Sequence, residues 1–247
     1  MPHRLLNLDE AAKCLHLPTA ELERLVRDRA IPFETRGPRT IFRKLEVEAW
    51  ASQRILSADA RQLVRFHQQA SRPVRQTEDF ALILPGLLGL GQVDAELSAR
   101  TKASTLREMA ALAGRTGWVY DPAWLVQSLE AREKLSSTAL PGGVAFLHSA
   151  TQEPDQFERS FVALARTVQP IHFGAPDGRP SRLFFLLCSR DARRHLVLLS
   201  RLCLLAQKAE LLTQLREAPD PASMLACLLA AERDAVEHGL QRLRTSD

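Results

Sequence analysis

The chain carries seven histidines, and one of them, His148, ends the apolar run of GGVAFLHSAT at 142–151, just before a small polar loop. A histidine at the carboxyl end of a strand sits where open α/β sheets place their reactive groups. A neutral imidazole there is a competent nucleophile for a phosphoryl group, and the labile phosphohistidine splits a transfer into two steps. Such a transfer asks mainly for positioning and charge neutralisation, so cationic or hydrogen-bond-donating groups are expected beside the ring. The other histidines suggest less. His172 precedes the Pro176-Asp177-Gly178 turn and reads as structural, His67 as a surface or interface residue, and His3, His16 and His238 have no partners at metal-ligand spacing. Cys14, Cys188, Cys203 and Cys227 lie in apolar contexts without CxxC spacing, which fits reduced core thiols. No metal and no cofactor are expected.

Such a histidine needs a scaffold, and the composition provides for one. Hydrophobic residues make up 45% and charged residues 25% of 247 residues, which suits one large domain or two unequal ones; two are expected. No run reaches the roughly 18 apolar residues of a membrane span, and acids occupy the start where a signal peptide needs an apolar core. The chain reads as cytoplasmic, without membrane insertion. Its charge is uneven: residues 1–75 hold 14 Lys and Arg against 9 Asp and Glu, and the remainder 19 against 20. That asymmetry suggests a basic module facing nucleic acid, joined to a near-neutral one.

The first 56 residues predict three helices and a hairpin. Asp9 is expected to cap a short helix through Leu15, and Thr19 to cap a second whose buried stripe is Leu22, Leu25 and Val26. Arg36-Gly37-Pro38-Arg39 punctuates a hairpin, and Leu45 to about Ile55 is helical again. The order resembles the excisionase-type, MerR-like winged helix-turn-helix. The residues that carry this resemblance are Leu6 to Leu15, Pro18-Thr19, Glu21 to Ala30, Ile31-Pro32 through Arg39, and Glu46 to Trp50. It implies binding of double-stranded DNA, with the helix after Thr19 in the major groove and the wing on phosphates. Thr19, Arg24, Arg27, Arg36, Arg39, Arg43 and Lys44 are the expected DNA contacts. Glu21, Glu23 and Asp28 balance the arginines of the second helix, and the alternative is a module used for protein contacts.

Residues 57–80 continue as a helical connector, closed by Pro73, that either pairs with a second copy to form a homodimer or packs on its own chain. From 81 to 247 helical and strand signals alternate, predicting an α/β domain with a mixed sheet covered by helices. SRLFFLLCS has the fully apolar run of a central strand. DPAWLVQSLEARE opens with an Asp-Pro pair suited to a helix start, and RRHLVLLSRLCLLAQKAELLTQLREA reads as an amphipathic helix with a short break.

In order, these segments resemble the enzyme IIA domain of the fructose/mannitol and nitrogen-regulatory branch of the phosphotransferase system. Lys102 and Leu106 sit in the usual places; Arg132, Glu133, Ser137 and Thr138 match R-E-x-x-x-S-T; Gly143 to His148 match the glycine-led strand ending in the phosphorylated histidine. His195, Leu196, Leu199 and Ser200 match H-L-x-x-L-S. The resemblance implies that His148 is the phosphoacceptor, that Arg132 and His195 support it, that Thr138 offers a hydroxyl, and that a histidine phosphocarrier protein is the donor. Two residues depart from the family's G-I-A-I-P-H-G. Leu147 replaces the proline and removes a rigid φ constraint; Ser149 replaces the glycine and disfavours positive φ. The function expected is a regulator that accepts phosphate on His148 and thereby gates DNA binding. The alternative is a non-catalytic interaction or sensor protein.

Overall fold

A computed structural model describes residues 5–15, 17–71 and 82–244. Those outside include His3, His16 and all of the expected connector beyond Ser71, with Pro73; the side chains of His67 and His238 also lie outside the description.

The N-terminal segment contains β1 (Leu5–Leu6), α1 (Leu8–Leu15), α2 (Thr19–Arg27), β2 (Glu34–Arg36), β3 (Arg39–Arg43) and α3 (Lys44–Leu56). The expected helix, turn, helix, hairpin, helix order is present, with one addition: β1 pairs antiparallel with β3, making a small sheet in the order β1-β3-β2. Two caps differ from expectation. Asn7 and Glu10, not Asp9, close the start of α1, each side chain accepting from the other's backbone N–H at 2.9 Å. Pro18 precedes α2, so Thr19 is its first residue and makes no cap. Leu6, Ala11, Leu22, Leu25, Phe42 and Val47 form a core local to this segment.

Helix α4 (Ala60–Ser71) follows α3 after a three-residue break at 57–59. It packs on its own chain: Leu63 is buried together with Ile55 and Leu56 in the core under the large sheet. Arg54 places its guanidinium 5.2 Å from the Trp50 ring and 5.0 Å from the Phe66 ring, tying α3 to α4. Leu56, Leu63 and Phe66 of the connector's apolar stripe are thus engaged within the chain, the second of the two expected arrangements, while Val64 of the same stripe is exposed.

The C-terminal segment runs β4 (Val93–Leu97), α5 (Lys102–Gly114), α6 (Pro122–Leu135), β5 (Ala139–Leu140), β6 (Val144–His148), β7 (Phe161–Ile171), β8 (Ser181–Cys188), α7 (Ala192–Ala206), α8 (Ala209–Glu217) and α9 (Pro221–Arg244). Its sheet has the order β4-β7-β8-β6-β5, with β6 parallel to β8, β4 parallel to β7, and the other pairs antiparallel. SRLFFLLCS is the central strand, as its apolar run predicts. Side chains alternate across the sheet: Val144, Phe146, Leu183, Phe185 and Leu187 face α7, α8 and α9, whereas Ala145, Leu147, Phe184 and Leu186 face α5 and α6. That alternation continues one residue past Phe146 and Leu147, so β6 ends by turning His148 toward the α7 side.

The glycines that open β6 are needed there. Gly143 has φ +78°, and a Cβ on it would come within 3.2 Å of the Pro180 carbonyl oxygen. That closeness lets the Gly143 carbonyl accept from the Arg182 and Leu183 N–H groups, fixing β6 in register on β8.

Candidate functional site

His148 sits at the carboxyl end of β6 and is 2% exposed. Its Nδ1 lies 2.8 Å from the Phe146 carbonyl oxygen. A carbonyl only accepts, so Nδ1 carries the proton and Nε2 keeps its lone pair. Toward that lone pair Arg132, from α6, donates its Nε–H at 3.0 Å. The ring of His195, near the start of α7, lies 4.8 Å from the His148 ring, centroid to centroid. Asp191 fixes His195 by capping α7, its side chain accepting from the Arg194 N–H at 2.7 Å.

Burial is the main cause of the electrostatics. It holds His148 well below its usual titration range, and the charges of Arg132 and of His195 act the same way, opposed only by the Phe146 carbonyl. Burial, then Arg132, brings His195 down to about 3. Both rings are neutral at physiological pH, the form in which an imidazole can attack. Arg132 is 1% exposed; its Nη1 donates to the Ser136 carbonyl at 3.0 Å and to the Ser136 hydroxyl at 3.2 Å. Arg132 Nη2 and His195 Nδ1 are buried and have no hydrogen-bond partner among the described residues. Buried polar atoms are ordinarily paired, so Arg132 Nη2, which can only donate, marks where an oxygen-rich group fits.

Leu147 and Ser149, the two departures flanking His148, leave the backbone undistorted. Leu147 fills the opposite face of the sheet. Ser149 is not in the left-handed region, which among the described non-glycine residues only Arg29 adopts. Its hydroxyl donates to the Thr151 carbonyl at 2.9 Å.

Thr138 is placed differently from expectation. Its hydroxyl donates to Glu133 at 2.7 Å, its N–H also reaches that carboxylate, and Glu133 pairs with Lys102 at 2.9 Å. The Thr138 carbonyl accepts from the Phe146 N–H at 3.1 Å. Thr138 thus anchors the strand that carries His148 and offers no hydroxyl to the imidazole.

A helix from the N-terminal segment completes the surroundings. On α3, Ser52, 3% exposed, puts its hydroxyl 3.2 Å from His195 Nε2. The next residue, Gln53, accepts from the Ser136 hydroxyl at 2.8 Å, extending the chain of contacts that begins at Arg132. At the start of α3, Lys44 donates to the Gln152 carbonyl at 3.1 Å and pairs with Glu153 at 3.5 Å, while Glu48 accepts from the Gln152 N–H at 3.2 Å. Burial raises the Glu48 carboxyl above its ordinary range, against the pull of Lys44. Lys44, expected on DNA, faces this contact. Lys44, Glu48 and Ser52 recur every four residues, the spacing of one helical face. That polar repeat is the sequence signal that could have shown this face; Ser52, Gln53, Glu48 and Ser136 were not anticipated.

Among the other residues expected on DNA, Arg24, Arg27, Arg36 and Arg39 are exposed, and Thr19 and Arg43 are half-buried. Arg43 and Arg36 both pair with Glu34. His172 is exposed just past the end of β7, and Cys188 and Cys203 are buried, with thiols pushed up by burial. Among the described residues, no three His, Cys, Asp or Glu side chains gather as a metal site, and no helix is long and apolar enough to cross a membrane.

Residues 87–231 match the family described as the phosphoenolpyruvate-dependent sugar phosphotransferase system, EIIA 2. The chain belongs to this family. A nitrogen regulatory protein of Pseudomonas aeruginosa is 30% identical over 141 residues, covering 55% of this chain and 88% of the relative. One from Bradyrhizobium diazoefficiens is 31% identical over 134 residues, 53% of this chain and 85% of that protein. The nitrogen regulatory protein IIA-Ntr of Neisseria meningitidis superposes with a TM-score of 0.52 at 28% identity, covering 58% of this chain and 97% of its own. At 22% identity and a TM-score of 0.51, IIA mannitol of Escherichia coli shares the fold. The EIIA match takes in the sheet, His148, Arg132 and His195; residues 1–86 lie outside it.

Proposed function

We propose that this EIIA-family chain accepts a phosphoryl group on His148 Nε2 from a histidine phosphocarrier protein and couples that event to DNA binding through its N-terminal segment. In this reading the chain divides into a winged helix-turn-helix at 1–56, a helical connector at 57–80 and the EIIA domain at 81–247. The observation that carries the phosphoryl reading is the tautomer lock: Phe146 holds the proton on Nδ1, leaving Nε2 unprotonated in a neutral ring, its lone pair engaged by Arg132. In the transfer, that pair bonds to phosphorus. The donor's P–N bond breaks, its electrons return to the donor nitrogen, and the Nδ1 proton stays against Phe146. Arg132 Nε then loses its acceptor, and with the unpartnered Nη2 becomes a donor for the phosphoryl oxygens. Exposed Arg24, Arg27, Arg36 and Arg39 support DNA contact.

Incubating the chain with phosphoenolpyruvate, the phosphotransferase enzyme that it phosphorylates and the phosphocarrier tests this. Acid-labile label on the wild type and none on His148→Ala is expected. Equal absence of label on both would refute phosphorylation. A second reading, a non-catalytic sensor or interaction protein, is favoured by one observation: α3 of the same chain packs against His195, beside a His148 that is itself buried.

A further inference from the structure

We propose that α3 is an intramolecular lid on the histidine pair, and that the lid and a phosphoryl donor occupy the same surface in turn. The inference rests on the phosphoryl reading for its second half only; the closed lid stands on geometry.

A single helix face touches the site on three sides. Lys44 and Glu48 grip the loop after His148 through both backbone groups of Gln152 and through Glu153. Ser52 meets His195, and Gln53 meets Ser136, which holds Arg132. Together these contacts bridge the loop that follows the nucleophile, its neighbouring ring and the cation that faces it. In-line transfer needs a donor phosphorus within reach of Nε2, and a ring 2% exposed cannot be reached by another protein's histidine. Lifting the Lys44–Gln53 stretch of α3, with Ile55 and Leu56 staying in the core, removes the contacts to His195, Ser136 and Gln152 that close the wall around that approach. A phosphoryl group on Nε2 adds bulk and about 1.5 to 2 negative charges to the wall that Ser52 and Gln53 close, and so would oppose reclosure. By linkage, whatever holds the lid open speeds phosphorylation, and phosphorylation holds the lid open.

The closed state leaves other residues of the N-terminal segment exposed. Arg24 and Arg27 on α2 and Arg36 and Arg39 on the hairpin are exposed while Lys44, Glu48 and Ser52 are covered. The lid face and the proposed DNA face are therefore distinct surfaces of one segment.

The experiment compares full-length wild type with two lid variants, Ser52→Arg and Lys44→Glu, and with Lys44→Glu combined with Glu153→Lys. One readout is modification of each histidine by diethyl pyrocarbonate, mapped by mass spectrometry with exposed His172 as the internal reference. The other is the initial rate of label transfer from the phosphocarrier. In wild type, His148 should be modified far more slowly than His172. Both single variants should raise His148 modification and the initial transfer rate on the order of ten-fold or more, as expected if the open form is a minor state; the charge swap should restore slow modification. The lid is overturned if His148 reacts as fast as His172 in wild type, or if neither single variant changes its reactivity. If the variants expose His148 but transfer is no faster, the competition between lid and donor is overturned. Exposure of His148 with no labelling of any form refutes the phosphoryl reading and leaves the lid intact.

Discussion

At the scale of residues, the chemistry proposed for His148 turns on which ring nitrogen is tied down. Phe146 fixes Nδ1 of His148, and Arg132 finds the remaining lone pair. Thr138 shows the converse. Its position in the R-E-x-x-x-S-T run suggests a donor to the site, yet its hydroxyl holds Glu133. Thr138→Val is therefore expected to destabilise the fold by about 1–3 kcal/mol, the cost of an unsatisfied buried partner, with Thr138→Ser close to wild type. Chemical denaturation measures the first effect. Label transfer by the folded fraction should change less than a few-fold; a selective loss of transfer at unchanged stability would restore Thr138 to the site. That His148, Arg132 and His195 lie together was legible in the sequence, because family spacing and strand ends mark them. The sequence did not reveal the bond that Thr138 makes, because a hydroxyl's partner depends on a rotamer and on a neighbour five residues back.

At the scale of elements, the hairpin and α3 present their charges in opposite ways. Glu34 pairs with both Arg36 and Arg43, so part of the hairpin's positive charge is held by its own strand. If this hairpin grips DNA phosphates, Glu34→Gln should tighten binding and steepen its salt dependence, whereas Arg36→Ala with Arg39→Ala should weaken binding and flatten the slope by about two. Binding to a nonspecific duplex, measured over a range of salt concentrations, decides it; unchanged slopes in all variants would argue against phosphate contact. Helix periodicity, turn residues and the apolar run of β8 made most elements legible. Strand β1 was not, because two residues give no period, and neither was β7, because its fully buried stretch from Phe161 to Ala165 has no polar alternation. The function of α3's polar stripe was hidden for another reason: burial against a segment about 100 residues away turns an apparently solvated face into an interface.

At the scale of the whole molecule, two neutral buried histidines make the fold sensitive to acid. Each titrates below its ordinary 6.5 in the structure, so the unfolded chain binds more protons once pH falls below that value. The stability is present above about pH 6.5 and is lost toward the folded values, at about 1.4 kcal/mol per pH unit for each histidine. Glu48, raised by burial, opposes this in part. Between pH 7.5 and 5.5 the wild type should lose stability in urea, and His195→Gln should lose about 1.4 kcal/mol less; identical losses would show that His195 is not held neutral. The break at 57–59 has a kinetic meaning of its own. Only three residues separate α3 from α4, and Ile55, Leu56 and Leu63 share the core beneath the sheet. The lid can therefore never diffuse away: it returns at an effective concentration on the order of millimolar, whatever the amount of protein in the cell. A freely diffusing partner at micromolar levels meets a competitor that is always present, so the threshold for reaching His148 is set inside the molecule and does not change with its dilution.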